Sequence, residues 1–172
     1  MRRFALSSLF VALVMAAATP SASAASTSLN AHFREEGGIS SAPSGTGFIR
    51  GYGKATEAFT ETSVTWLDSG CLTRGGVQGV TFIATGTTLM TLVSDGSTLT
   101  ISETDVGCTP GNSHEGTPGW TPTRVTGSFE IDTGTGVFTG AGGGGTMTGK
   151  FAGNGLENQS VFIFDYEGTL TL

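Results

Sequence analysis

Residues 125–152 read VTGSFEIDTGTGVFTGAGGGGTMTGKFA, an alternating run that enters a glycine cluster and emerges alternating again. Val125, Gly127, Phe129 and Ile131 fall on one face of the first arm and Thr126, Ser128, Glu130 and Asp132 on the other, the period of two that a half-buried strand imposes. In the second arm Met147, Gly149 and Phe151 oppose Thr146, Thr148 and Lys150. The stretch predicts two strands folded back on each other, with glycine permitting the tight corner between them.

Toward the C-terminus, Phe162, Phe164, Tyr166, Leu170 and Leu172 share a face while Val161, Ile163, Asp165, Glu167 and Thr169 share the other, as in the wall of a barrel or sandwich. Toward the N-terminus, Ser94-Asp95-Gly96-Ser97 separates Leu92-Val93 from Leu99-Ile101 and predicts a two-residue type I′ hairpin between adjacent antiparallel strands. Residues 77–85, with Val80, Phe82 and Ala84 on one face, and residues 89–94 read as two strands joined by Gly86-Thr87-Thr88. Residues 48–66 read as two strands or one bent strand, with Gly51 and Gly53 marking a bulge or bend. Leu29-Ala31-Phe33 is a short first strand, and residues 68–76 read as a loop. Residues 103–123, with three prolines and four glycines, read as a long loop.

No window beyond the N-terminus has helical spacing, and turn signals recur about every 8 to 12 residues. The expected fold is all-β: a single closed antiparallel β-barrel of about eight strands, which leaves no sheet edge. Such an interior is either filled by side chains or holds one small ligand.

Arg2 and Arg3, the apolar run over residues 4–18 and Ala22-Ser23-Ala24 have the three parts of a secretory signal peptide, with cleavage expected after Ala24. Residues 25–172 then form one domain large enough to bury a core. They carry six basic residues against fourteen acidic ones, a net charge of −8 where the whole chain has −6. An acidic surface without a basic cluster argues against nucleic acid or an anionic membrane as partner. No later stretch approaches the ~20 apolar residues of a membrane helix. Cys71 and Cys108 are the only cysteines, and an even count in an exported chain predicts one disulfide.

Gly134-Thr135-Gly136-Val137-Phe138-Thr139-Gly140-Ala141, preceded by Phe129-Glu130-Ile131 and followed by Gly145-Thr146, resembles the G-T-G-x-F-x-G-A-x-G-x-G-T segment of allene oxide cyclase-like and dirigent-like barrels. It especially resembles their secreted bacterial members, whose last strand also closes on Gly-Thr, here Gly168-Thr169. The resemblance covers roughly the last third of the chain and implies a calycin-like eight-stranded barrel. After Ala141 the run Gly142 to Gly145 replaces larger residues of the dirigent pattern, and no catalytic residue of the family finds its motif here. Gly134, Gly136 and Gly140 then serve geometry, and Phe138 anchors the corner in the core.

Residues 140–145 match G-x-G-x-x-G and residues 144–150 match G-x-x-x-x-G-K, but such loops hold phosphate only where they open a helix. Here a strand follows, so nucleotide binding is not expected. Glu130, Asp132, Asp165 and Glu167 could pair as general acid and base if they faced inward; their polar-face placement predicts a solvated exterior. Asp105, His114 and Glu115 lack metal-ligand spacing, and neither a metal nor a cofactor is expected. Tyr52, Trp66 and Trp120 are the candidate ligand-binding residues, with core packing or pinning of a loop as the competing roles. Asn158-Gln159-Ser160 matches a glycosylation acceptor, and no nucleophile has an identifiable base. The expected function is that of a small exported barrel that binds an apolar small molecule or serves as an interaction module. The alternatives are a cyclase-like or dirigent-like protein steering a reactive intermediate, and a structural protein with a filled barrel.

Overall fold

The computed structural model describes residues 25–37, 44–72, 76, 78–110, 120–154 and 159–172. The expected leader at 1–24, His114, Glu115, Asn158 and the side chain of Trp120 lie outside the described residues. Strands β1 (Ser26–Gly37), β2 (Ser44–Ile49), β3 (Gly53–Leu72), β4 (Gln78–Leu92), β5 (Thr98–Pro110), β6 (Trp120–Gly134), β7 (Gly142–Asn154) and β8 (Gln159–Thr171) form an antiparallel meander. Each pairs with the next, and β8 pairs back onto β1, so the sheet closes into a barrel. No helix of the described residues is long and apolar enough to cross a membrane.

The central hairpin pairs as its alternation requires, Val125 opposite Gly149 and Phe129 opposite Gly145. Its glycine cluster, however, lies within β7. The turn is made by residues 135–141, including a short 3-10 segment, Gly136–Phe138, that drops Phe138 fully into the core. Gly143 adopts a φ of 120°, and a Cβ there would overlap the Thr169 carbonyl oxygen. Only glycine permits that strand contact.

Three local expectations are corrected. β4 is continuous, because Gly86 and Thr88 pair with Glu103 and Ile101 in an unbroken ladder. The turn between β4 and β5 spans residues 93–97 rather than two residues, with Gly96 at positive φ and the Asp95 carboxylate accepting from the Ser97 amide. Segments read as loop are strand: residues 68–72 in β3, 103–110 in β5 and 120–123 in β6; β3 extends to Leu72 through register shifts between Glu61 and Ser63 and between Leu67 and Gly70. The first bulge changes which parity faces inward, so Phe59 and Trp66 both reach the interior side.

Packing is graded along the barrel axis. At one end Leu29, Ile49, Met90, Leu99, Ile101, Phe138 and Leu170 are fully buried and fill the cross-section. At the other, Phe59, Phe82, Phe151, Phe162 and Phe164 face inward yet are only half-buried. Cys71 and Cys108 form the expected disulfide, tying β3 to β5 across β4, where a Cβ on Gly79 would stand 3.0 Å from the Cys108 sulfur. The bridge closes a sequence separation of 37 residues. Reduction should lower stability by about 2–3 kcal/mol, read as a drop in Tm between oxidised and reduced samples; an unchanged Tm would show that the bridge contributes nothing.

Candidate functional site in the barrel interior

Above the apolar plug the interior turns acidic. Glu35 on β1, Glu57 on β3, and Glu103 and Asp105 on β5 are all buried, together with Thr88 on β4 and Tyr166 on β8. Each acid continues the parity of its strand's apolar residues: Leu29-Ala31-Phe33-Glu35, Ala55-Glu57-Phe59 and Leu99-Ile101-Glu103-Asp105. Period two carries them inward whatever their chemistry.

Glycines bring the acids together. Gly45 sits between Glu35 and Glu57 in the pairing, and a Cβ there would come within 2.7 Å of the Glu35 Cγ. Gly127 pairs with Asp105, whose carboxylate lies over it, so a side chain on Gly127 would overlap that oxygen. The Tyr166 hydroxyl donates to Glu57 Oε1 at 2.7 Å and lies 3.3 Å from Glu103 Oε2, while Thr88 Oγ1 donates to Glu103 Oε1 at 2.6 Å. Phe33 and Phe129 meet the Tyr166 ring edge-on and fix it in place.

Several oxygens in this layer have no hydrogen-bond partner in the protein: both of Glu35, Oε2 of Glu57, Oδ1 of Asp105 and Oγ1 of Thr109. Glu35 lies close enough to Glu57 for the two to titrate together, although neither Glu35 oxygen completes a hydrogen bond of good geometry. Burial raises the pKa of Glu35, Glu57 and Glu103; the imperfect hydrogen bond with Glu57 holds Glu35 back while the Glu103 charge pushes it up, and the Glu35 and Glu103 charges raise Glu57 further. Asp105 is pushed up to about 8 by burial and then by Glu103, and burial also raises Tyr166. No described Lys or Arg enters this layer to compensate: Arg34, Arg50, Lys54, Arg124 and Lys150 are exposed.

Beyond the acids the wall is aromatic. Phe59, Phe82 and Phe164 lie back across Gly86, Gly107 and Gly149 of neighbouring strands, where any Cβ would overlap the rings. Phe162 stacks between Phe151 and Phe164, at centroid distances of 4.6 and 5.8 Å.

Of the candidate ligand residues, Trp66 belongs to this aromatic end, 52 % exposed and 5.6 Å from Phe82 between ring centroids. Tyr52 instead packs on Phe138 at the filled end, 4.7 Å between centroids. Glu130, Asp132, Asp165 and Glu167 are on the outer surface, as their polar face predicted. Asp165 there bonds His32 Nδ1 at 2.7 Å. Asp105, considered as a metal ligand, faces the interior. Among the described residues no group of three or more His, Cys, Asp or Glu is placed to hold a metal ion. Glu35, Glu57 and Glu103 are not among the candidates the sequence offers, and Asp105 is there only as part of a loop; the parity of their own strands was the available signal. No protein-family model, curated protein or solved structure matches this chain.

Proposed function

We propose that the barrel binds a small molecule in its interior, the apolar body of that molecule resting on Phe59, Phe82, Phe162 and Phe164. The observation that carries this reading is the change along the axis, from an end filled by apolar side chains to an end whose inward rings stay half-buried, three of them against glycines. A purely structural barrel gains nothing from buried acids whose oxygens lack partners, since each costs about 1–3 kcal/mol. The disulfide and the leader-like N-terminus support export, and the closed eight-strand meander with Phe138 at its corner supports a place beside the allene oxide cyclase-like and dirigent-like barrels.

The test is titration of the purified protein with N-phenyl-1-naphthylamine, a neutral dye that brightens in apolar surroundings. Saturable uptake of one dye per chain is expected, weakened about tenfold by Phe82→Ala through loss of ~1.4 kcal/mol of ring contact. Absence of saturable uptake would overturn the reading. A second reading, a barrel that steers a reactive intermediate, gains from Asp105, whose carboxyl is a neutral acid below about pH 8 and able to donate a proton. Mass and retention of the molecule recovered from the protein separate the two: an unchanged molecule supports a carrier, a rearranged one supports catalysis.

A further inference from the structure

We propose that the interior site is selective for an organic cation: an ammonium group seated at the adjacent Glu35 and Glu57, in the acidic layer that Glu103 and Asp105 extend along β5, on an arm lying against Phe59, Phe82 and Phe164. The inference rests on the reading that the interior binds a small molecule, and it names the chemical class.

Three independent observations converge on it. Four acids face the interior and every described Lys and Arg is outside, so nothing basic in the described barrel neutralises them. Glu35 is fully buried and meets no donor other than the neighbouring Glu57 carboxyl, and Oε2 of Glu57 and Oδ1 of Asp105 are also buried without a partner. Buried acceptors without donors call for a donor-only guest, and an ammonium group offers up to three N–H donors and no acceptor. The adjoining wall is aromatic, and ring faces attract cations while accepting an apolar arm.

The layout favours an ammonium group over a metal ion. The acids are strung from β1 through β3 to β5 instead of converging on one point, and no metal-holding group forms among the described residues. Calcium draws oxygens into a shell of about 2.3–2.6 Å, whereas N⁺–H···O⁻ bonds run to about 2.8 Å along separate directions. The strands that complete the layer bring no opposing charge: β4 supplies Thr88, β6 supplies Gly127 and Phe129, β7 supplies Met147 and Gly149, and β8 supplies Tyr166. A cation entering this layer displaces protons held by the acids, so binding and proton release are linked.

A matched pair tests the class: 4-phenylbutylamine and 4-phenylbutanol, each titrated against protein loaded with N-phenyl-1-naphthylamine. At pH 8 the amine should displace the dye at least tenfold more strongly than the alcohol. At pH 5 that preference should shrink about tenfold or more, because protons then hold the carboxylates. Calorimetry in two buffers of different ionisation enthalpy should show about one proton released per amine bound at pH 7. In Glu35→Gln and Glu57→Gln proteins, shown folded by their melts, the ratio of amine to alcohol affinity should fall toward one. Dye uptake with equal displacement by amine and alcohol would overturn the cation proposal and leave small-molecule binding standing. An amine preference that survives both substitutions would place the cation on the acidic outer surface and overturn it too. Failure of the dye to bind would sink the reading on which the proposal rests.

Discussion

Acidification from pH 8 to pH 5 is expected to raise the melting temperature of this protein by about 10 °C. Asp105 carries the largest assignable part: its pKa stands at about 8 in the fold against an ordinary value of 3.8, because burial and the Glu103 carboxylate disfavour its charge. Across that window the folded chain holds a proton on Asp105 that the unfolded chain has released, so stability falls as pH rises, by about 1.4 kcal/mol per unit for one proton. Over three units this gives about 4 kcal/mol, and a domain of this size shifts by about 2–4 °C per kcal/mol. Glu35, Glu57 and Glu103 shift in the same direction and add to the slope. The stabilisation is fully present below the ordinary carboxylate range and is lost as pH climbs through the raised values. Thermal melts at pH 5, 6, 7 and 8 in 0.5 M salt check this, since salt screens the acidic exterior and leaves the buried groups largely unscreened. A flat profile, or one that rises with pH, would show that these acids are solvated. Asp105→Asn should flatten the slope by about one proton.

How much of this was legible in the chain depended on where one parity ran unbroken. The hairpin of β6 and β7 was plain because Val125 to Ile131 alternate without a bulge, and its pairing follows the pattern residue by residue. The strand carrying Phe162, Phe164 and Tyr166 was plain for the same reason. β3 was not, since the shift between Glu61 and Ser63 exchanges its faces midway, and no residue type there announces the extra residue. β5 was hidden differently. Beyond Ile101 both of its faces are polar, Glu103 and Asp105 inside and Ser102 and Thr104 outside, so amphipathicity disappears although the strand continues. An interior built to be polar removes the contrast by which strands are recognised, and the candidate site fell in the place where that contrast was weakest. Glycine was likewise ambiguous. The cluster at residues 142–145 signalled a turn and belongs to a strand, where Gly143 meets the Thr169 carbonyl.

Glu35→Met should make the protein more stable, by about 4 kcal/mol at pH 8. The native side chain is fully buried with no donor beside it except the Glu57 carboxyl, and each buried acceptor without a donor costs about 1–3 kcal/mol. Methionine has similar length and no charge, and burying its thioether arm contributes about 1.5–3 kcal/mol beside Phe162, which pairs with position 35 across β8. It also removes a carboxylate that raises the pKa of Glu57, so Glu57 should titrate lower in the variant. At pH 5 the gain should be smaller, because the native carboxyl is then neutral and only its unpaired oxygens remain as a penalty. Denaturant unfolding at both pH values reads the effect. A loss of stability at pH 8 would mean that Glu35 is satisfied in solution, and the acidic layer would then be an ordinary hydrated interior. A gain joined to a lost preference for the amine is the signature of a residue kept for binding at the expense of the fold, since stabilising substitutions in binding sites commonly weaken function.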